Sequence, residues 1–223
     1  MDDRIETNNK KIQKLVDFLI TNYEFALKNN DVIQSTIGAL ASVKSGFAFK
    51  SSSWAEDGTK VVKIKNITEQ GQIDFSECSY VNDESVINKA EQFKVYGGEL
   101  VIAMTGATIG KMAIIPKTES YALINQRVGL FMPKDSKKCT PFLYASCMRN
   151  DVFSEIVTRG GGSAQPNISG QSIEDISIPL LNQTEIQRFN NKFNICLSTI
   201  QETLEINKKL YELKSLYLQK FFG

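Results

Sequence analysis

The segment from Gly160 to Ser169 has the most distinctive polar composition in the chain: three glycines precede Gln165, Pro166 and Asn167. Glutamine and asparagine side chains each carry a donor beside an acceptor, which matches the exposed edge of adenine. Glycine lets a backbone approach a ligand closely, and proline restricts the loop between the two amides. The segment is therefore either a base-reading loop, with Gln165 and Asn167 as candidate contacts, or an ordinary loop after a helix.

Positive charge concentrates in two other stretches. Residues 44–65 carry five lysines against two acidic residues, and residues 111–138 carry six positive residues against two acidic ones. A phosphate-contacting surface needs such an excess, although a solvated surface also produces it. Lys63 and Lys65 are two residues apart, so one strand could place both on the same face. The candidate phosphate or base contacts are Lys44, Lys50, Lys63, Lys65, Lys111, Arg127 and Arg159.

Several catalytic chemistries are excluded by residue content. The 223 residues include no histidine, which removes Ser-His-Asp and Cys-His nucleophiles and His-ligated metals. Thr105–Lys111 resembles a phosphate loop only superficially, because three residues separate its glycines and Met112 stands where a hydroxyl residue is needed. We interpret it as a tight turn between strands. The Asn-Pro-Pro-aromatic motif of adenine methyltransferases is also absent. We expect no catalytic residue, no metal and no cofactor.

The overall composition indicates an ordinary globular protein. Lys and Arg number 26 against 25 Asp and Glu, a net charge of +1, so a wholly basic nucleic-acid coat protein is excluded. The four cysteines are scattered and form no C-x-x-C pair, which favours buried thiols in a reducing compartment over a zinc site. The chain starts without the pattern of a signal peptide, and no apolar run approaches a membrane span. We expect a soluble, cytoplasmic protein that does not associate with membranes.

Two segments without glycine or proline carry apolar residues at coiled-coil spacing. They run from about Arg4 to Leu27 and from Gln183 to Phe222, with apolar steps alternating between four and three residues. The second would form a helix roughly 60 Å long, which must project or pack along something. It also carries a second apolar stripe beside the first, so it needs more than one partner. That stripe consists of Ile206, Leu210, Leu213 and Tyr217.

The two helical segments share an internal repeat. Asn9-Lys10-Lys11-Ile12 matches Asn207-Lys208-Lys209-Leu210, and the same offset places Tyr23 on Phe221. The first helix thus resembles the second half of the last one. The chain begins and ends with the same kind of segment.

Between these helices, short β-rich runs and turn residues indicate a mixed domain. One helix is predicted from a cap at Thr140 to about Thr158. The predicted fold class is α+β: one mixed α/β domain at 31–182, flanked by an N-terminal helix at 1–30 and a long C-terminal coiled-coil helix at 183–223. The predicted strands are Val61–Ile67, Leu100–Met104, Met112–Ile115, Arg127–Met132 and Ile173–Ile178.

Several motifs in order resemble the target-recognition domain of type I restriction-modification specificity subunits. The resemblance covers nearly the whole chain and closes with Gln183-Thr184-Glu185-Ile186-Gln187, which is similar to the start of the family's conserved helix. The earlier motifs are Lys44-Ser45-Gly46-Phe47-Ala48-Phe49-Lys50-Ser51, Val62-Lys63-Ile64-Lys65-Asn66-Ile67, Gly98–Gly106 with Ile109-Gly110-Lys111, Asn125-Gln126-Arg127-Val128, Gly162–Ser169 and Ile176-Ser177-Ile178-Pro179-Leu180.

This resemblance implies a non-catalytic subunit that reads double-stranded DNA. Such subunits dock on methyltransferase subunits, which hold S-adenosylmethionine, and on a restriction subunit that hydrolyses ATP and cuts. Full-length members have two recognition domains and read a split site, whereas this chain has one. It is therefore a natural half-subunit or one half of a longer protein. The alternative is a free-standing DNA-binding regulator, or a modulator that pairs with a full-length subunit.

A second copy could supply the missing half. Two chains could lay their helices antiparallel as a homodimer, and Asn207 within the apolar seam would then select one register. The bound sequence would be a palindrome interrupted by an unread spacer. Intrachain packing is the alternative role for these helices. The candidate interface residues are Ile12, Leu19, Leu197, Ile200, Leu204, Asn207, Leu210, Tyr211 and Leu218.

Overall fold

Long helices stand at both ends of the chain in the computed structural model, which describes residues 2–117, 120–161 and 166–222. Helix α1 spans Asp2–Lys28 and helix α7 spans Gln183–Phe222. Both were predicted from apolar spacing, and the predicted fold class, a mixed α/β domain between two such helices, is confirmed.

The two long helices pack antiparallel within one chain. Asp2 at the start of α1 forms an ion pair with Lys214 near the end of α7, with Nζ and Oδ1 2.7 Å apart. Further along, the Phe18 and Phe193 rings meet edge-on with centroids 5.9 Å apart. The apolar seam of α1 is buried there, including Leu19, which has no exposed surface. Intrachain packing is thus the arrangement of this structure.

The described residues between the long helices form short strands and helices. The strands are β1 (Ile33–Thr36), β2 (Ala41–Ser45), β3 (Thr59–Val62), β4 (Ser79–Val81), β5 (Lys94–Val95), β6 (Leu100–Ala103), β7 (Met112–Ile114), β8 (Ala122–Ile124), β9 (Val128–Pro133) and β10 (Ser177–Leu180). The helices are α2 (Ile37–Leu40), α3 (Glu84–Lys89), α4 (Pro141–Cys147), α5 (Asn150–Gly160) and α6 (Gly170–Glu174).

The strands pair into three small sheets. One has the order β2-β9-β6-β7 and is antiparallel throughout, and a second has the order β4-β3-β8-β5, in which β3 and β8 are parallel. The third pairs β1 with β10 and so joins the two ends of the domain. Strand β6 is buried on both faces: Leu100 and Ile102 join the core under the long helices, and Val101 and Ala103 join the core shared with the second sheet. This central strand fixes the position of the turn that follows it.

Three predicted strands are confirmed within one or two residues, as β6, β7 and β9, and Thr105–Lys111 is the predicted turn between β6 and β7. The prediction at Val61–Ile67 is wrong in its second half. Strand β3 ends at Val62, because Asn66 Oδ1 accepts the backbone N–H of Lys63 at 2.9 Å and a single 3-10 turn follows. The prediction that Lys63 and Lys65 share one strand face is therefore wrong as well.

The strand predicted at Ile173–Ile178 is also wrong in its first half. The Ser169 hydroxyl accepts the backbone N–H of Ser172 at 3.0 Å and so starts helix α6. Extended structure begins only at Ser177.

The single helix predicted from Thr140 to Thr158 is two helices, α4 and α5. Its predicted start is confirmed, since the Thr140 side chain accepts the N–H of Leu143. The break lies at Arg149, whose backbone is extended (φ −70°, ψ 143°) and whose guanidinium donates to both carboxylate oxygens of Asp151, at 2.8 and 2.6 Å. The bidentate pair holds the first turn of α5 in its new direction.

Candidate nucleic-acid interface

An open cleft of about 960 Å³ lies where three turns meet at one end of the central sheet. They are the turn after β6, the turn between β8 and β9, and the segment that follows α5. The described lining residues are Ser45, Gly46, Ala48, Ile64, Met104, Thr105, Gly106, Gln126, Arg127, Pro166, Asn167, Ile168 and Ser169.

Backbone hydrogen bonds join these turns into one wall. Thr105 and Asn167 form an isolated antiparallel bridge, and the Gly106 N–H donates to the Pro166 carbonyl at 2.9 Å. The Met104 N–H donates to the Arg127 carbonyl at 3.0 Å, and the Met104 carbonyl accepts the Ile168 N–H at 3.0 Å. The residues that directly follow strand β6 therefore position the cleft, and these backbone groups are already hydrogen-bonded.

Three polar side chains at the cleft remain available to a ligand. Gln126, Arg127 and Asn167 are exposed, and their amide and guanidinium groups make no hydrogen bond or ion pair among the described residues. Their backbones are fixed: the Gln126 N–H, for example, donates to the Phe47 carbonyl at 2.9 Å. Two amides and one guanidinium are the groups that read adenine and guanine edges in the major groove.

The sign of the charge distinguishes this cleft from a second groove, which lies beside α1. Among the described lining residues, the cleft has one charged group, the Arg127 guanidinium, and no carboxylate. The groove beside α1, about 830 Å³, has four carboxylates against two positive groups. A polyanion is attracted to the first surface and repelled by the second. The charged residues of that groove are Asp17, Glu24, Glu69, Asp151, Lys111 and Arg149.

The structure separates the candidates predicted from the sequence. Arg127 and Asn167 meet in the cleft, whereas Lys111 lines the acidic groove and pairs with Glu69. Gln165 lies outside the described residues.

Lys44, Lys50, Lys65 and Arg159 are exposed but do not line the cleft. Lys44 follows the alternation of β2 and points to the sheet face opposite Ser45. Lys65 Nζ lies 3.6 Å from Glu77 Oε2. The Arg159 guanidinium donates hydrogen bonds to the Glu155 carboxylate and to the Ser172 carbonyl.

Lys63 is held on an aromatic ring. Its Nζ lies 3.5 Å from the centroid of the Trp54 ring, a cation–π contact. Partial burial lowers the pKa of Lys63 from its usual value, and the positive charge of Lys65 adds to the effect. The Trp54 ring packs against the Phe49 ring, which in turn packs against the Phe47 ring. The backbone carbonyl of Phe47 accepts the N–H of Gln126. The aromatic cluster is thus linked to the cleft through the backbone of Phe47.

Two features of the cleft were missed in the sequence. Gln126 belongs to one of the family motifs but is not among the predicted contacts, although an amide in a turn between two buried strands is a usable signal. Thr105 carries no such signal: its Oγ1 is the buried side-chain polar atom without a hydrogen-bond partner among the described residues. Only tertiary structure reveals that.

The residues predicted for a partner interface divide into two groups. Ile12, Leu19, Leu197, Ile200, Leu204 and Asn207 are each at most 6% exposed and pack within the chain. Leu210 is half-buried, and Tyr211 and Leu218 are exposed. In this conformation, only the second group presents surface to another molecule.

Other site types find little support in the described residues. They contain no cluster of three or more side chains suited to a metal ion, and Cys78, Cys139, Cys147 and Cys196 are free thiols. Burial raises the pKa of Cys78 to about 11 and of Cys147 to about 12. Among the helices in the described ranges, none is long and apolar enough to span a bilayer.

Comparison with known proteins gives consistent matches. Residues 29–215 match the family model for the type I restriction modification DNA specificity domain. The chain is 30% identical over 170 residues to the specificity subunit of type I restriction enzyme MjaVIII of Methanocaldococcus jannaschii, covering 75% of this chain and 39% of that protein. It is 25% identical over 175 residues to the EcoAI specificity subunit of Escherichia coli, covering 77% and 29%.

A solved structure shares the fold. The S subunit of a type I restriction-modification system from M. genitalium superposes with a TM-score of 0.58 at 16% identity, covering 100% of this chain and 57% of that one. The chain spans well under half the length of the two curated relatives.

Proposed function

Because the chain belongs to the family of type I restriction-modification DNA specificity domains, we propose that it reads one half of a bipartite DNA site and holds that DNA for methyltransferase subunits. It supplies sequence recognition and leaves methyl transfer and cleavage to other subunits. A restriction subunit completes the proposed assembly.

The observation that supports this role is the cleft around Gln126, Arg127 and Asn167. Base reading needs donors and acceptors that are fixed in position yet unpaired before the ligand arrives. These three side chains stand on a hydrogen-bonded backbone and have no partner of their own among the described residues. Exposed lysines outside the cleft, such as Lys44 and Lys50, would add a sequence-independent attraction to phosphate.

One half-site needs a counterpart, since a single recognition domain contacts one stretch of DNA. We propose that two copies associate through the long helices as a homodimer. The target is then a palindrome interrupted by a spacer. The exposed apolar stripe of α7, including Leu213 and Tyr217, is the proposed methyltransferase-docking face.

The test is to co-express the chain with its methyltransferase subunit and map methylated adenines in host DNA. We expect co-purification and methylation at one interrupted palindrome. Arg127→Ala should lower methylation roughly 5- to 150-fold, since a bidentate base contact contributes about 1–3 kcal/mol. Lys89→Ala, which removes an exposed cation outside the cleft, is the matched control and should behave as wild type.

Three results would each contradict a part of this proposal. An Arg127→Ala complex with unchanged methylation would exclude the cleft as the reading site. A chain that binds DNA but does not retain the methyltransferase would support the free-standing regulator instead. A continuous, asymmetric target would remove the homodimer from the proposal.

A further inference from the structure

A triangle of buried amides joins the mixed domain to the long helices. Gln72 of the domain is 5% exposed, and its Nε2 donates to Asn9 Oδ1 on α1 at 2.6 Å. Asn207 on α7 is 1% exposed, and its Nδ2 donates to Asn9 Oδ1 at 2.8 Å and to Gln72 Oε1 at 3.4 Å. Buried amides are stable only with their hydrogen-bond partners in place, so this contact favours one arrangement of the domain on the helices.

The segment that carries Gln72 is a tight hairpin of residues 66–74, closed by an antiparallel bridge. The Gln72 backbone is held on both sides: its carbonyl accepts the Thr68 N–H at 2.8 Å, and its N–H donates to Thr68 Oγ1 at 3.1 Å. At the other end of the hairpin, Asn66 Nδ2 donates to the Asp74 carbonyl at 3.0 Å. The hairpin therefore transmits the position of Gln72 to the residues on either side of it.

The same segment leads directly into the cleft. Asn66 Oδ1 accepts the Lys63 N–H at 2.9 Å and so fixes the 3-10 turn that contains Ile64. Ile64 lines the cleft and lies only eight residues before Gln72. A displacement of the hairpin along the helices would therefore move the cleft with it.

The amide triangle is the second of two contacts that are well separated along the helices. The first is the aromatic contact of helix α4, where Phe142 packs against Tyr23 and Phe189 with centroids 4.9 and 5.6 Å apart. Asn9 and Tyr23 are 14 residues apart on α1, which is roughly 21 Å at 1.5 Å per residue. The aromatic contact alone would let the domain pivot, and the amide triangle opposes that movement.

We propose that Gln72 is a positioning residue for DNA recognition: it holds the cleft at one angle to the long helices and so fixes the spacer length that is accepted. This inference rests on the proposed function, in which two clefts read two half-sites of one DNA. One added base pair moves the second half-site by about 3.4 Å and turns it by roughly 35°. A cleft held at one angle rejects that site, whereas a pivoting cleft accepts it.

Methylation of duplexes whose half-sites are identical and whose spacers differ by one base pair tests the proposal in the co-expressed complex. We expect the wild type to prefer one spacer length. Gln72→Met should weaken that preference roughly fivefold or more, since it removes two hydrogen bonds that each contribute a factor of about 2 to 12. Gln70→Met changes an exposed amide in the same hairpin and should keep the wild-type preference.

The Gln72→Met variant should fold, because Asn9 and Asn207 keep each other as partners and the new side chain has a similar length. An unchanged circular dichroism spectrum would verify this. Gln72→Leu is a second apolar variant and should give the same result.

The angle of the domain can also be measured without DNA. Spin labels at Lys50→Cys and Asn194→Cys, both exposed positions, report the distance between the domain and α7 by pulsed electron paramagnetic resonance. The two partly exposed native thiols are replaced by Cys78→Ser and Cys196→Ser. We expect a narrow distance distribution for this labelled chain and a broader one once Gln72→Met is added.

The two measurements separate this inference from the proposed function. Wild-type spacer preference together with a narrow distribution in Gln72→Met would overturn the inference and leave the proposed function intact. Methylation lowered equally at every spacer length would also overturn it, since that result assigns Gln72 to stability alone. If the wild-type complex methylated none of the duplexes, the proposed function and the spacer role would both be overturned, while a broadened distribution would still show that Gln72 orients the domain.

Discussion

Thr105 and Asn167 face each other across an isolated antiparallel bridge, although 62 residues separate them in the chain. The bridge joins the turn after β6 to the segment after α5, and the flanking Gly106–Pro166 bond closes it. Because the backbone groups of the two segments hydrogen-bond to each other, they do not need the Asn167 side-chain amide, which is available to a ligand. Base reading by a rigid scaffold with unpaired side chains is the physical basis of the proposed function.

The Thr105 hydroxyl leads to a prediction about stability. Thr105 Oγ1 is buried without a hydrogen-bond partner among the described residues, and such a group costs about 1–3 kcal/mol. Thr105→Val keeps the shape in an extended backbone that suits a β-branched residue. We expect it to unfold at equal or higher urea concentration than wild type, because it removes the buried hydroxyl that has no partner.

Thr105→Ser is the control, since it keeps the buried hydroxyl and should unfold at no higher urea concentration than wild type. A valine variant that is less stable than wild type would show that the hydroxyl is hydrogen-bonded in solution, for example to a buried water.

Gly46 and Gly106 line the same cleft, and each is required for a different reason: Gly46 for lack of space and Gly106 for its backbone conformation. A methyl group on Gly46 would collide with the carbonyl oxygens of Ile124 and Asn125, which belong to rigid backbone. Gly106 has open space around its Cβ position but a positive φ of 73°. We expect Gly46→Ala to cost about 3 kcal/mol or more by overpacking, and Gly106→Ala about 1–2 kcal/mol through backbone strain. Equilibrium urea unfolding measures both, and equal losses would contradict the steric argument.

The sequence predicted the elements whose signals are local. The apolar spacing of α1 and α7, the Thr140 cap and the turn at Thr105–Lys111 each follow from neighbouring residues, and the family resemblance from ordered motifs. The errors arose where side chains redirected the backbone: Asn66 ended β3, and Arg149 with Asp151 split a helix.

The candidate site was predictable only in part, for a related reason. Residue type alone predicts Arg127 and Asn167, but their meeting depends on backbone pairing with Met104 and Thr105, which no local pattern encodes. Residue type also predicts Lys111, which lies in another groove beside Glu69.

Tyr23 connects helix α1 to the recognition domain. Its hydroxyl donates to the Pro179 carbonyl in β10 at 3.1 Å, and its buried ring packs against Phe142 with centroids 4.9 Å apart. Tyr23→Phe keeps the packing and leaves the carbonyl unpaired, so we expect a loss of about 1 kcal/mol in the free energy of unfolding. Tyr217→Phe, near the exposed end of α7, should leave the free energy of unfolding unchanged. A Tyr23→Phe variant with wild-type thermal stability would show that water satisfies the carbonyl equally well.

Salt dependence should separate phosphate contacts from base contacts in the proposed complex with the methyltransferase subunit. Lys50 is exposed, follows the cleft residue Ala48 by two positions and has no ion pair among the described residues, so it can neutralise a phosphate. For Lys50→Ala we expect the slope of log affinity against log salt to become shallower by about 0.9, while the methylated sequence stays the same.

Arg127→Ala should instead weaken binding to the target much more than to unrelated DNA, because a base contact carries sequence information. Fluorescence anisotropy with target and scrambled duplexes between roughly 50 and 200 mM salt measures both quantities. Equal losses on target and scrambled DNA for Arg127→Ala would assign that guanidinium to phosphate and leave base reading to the Gln126 and Asn167 amides.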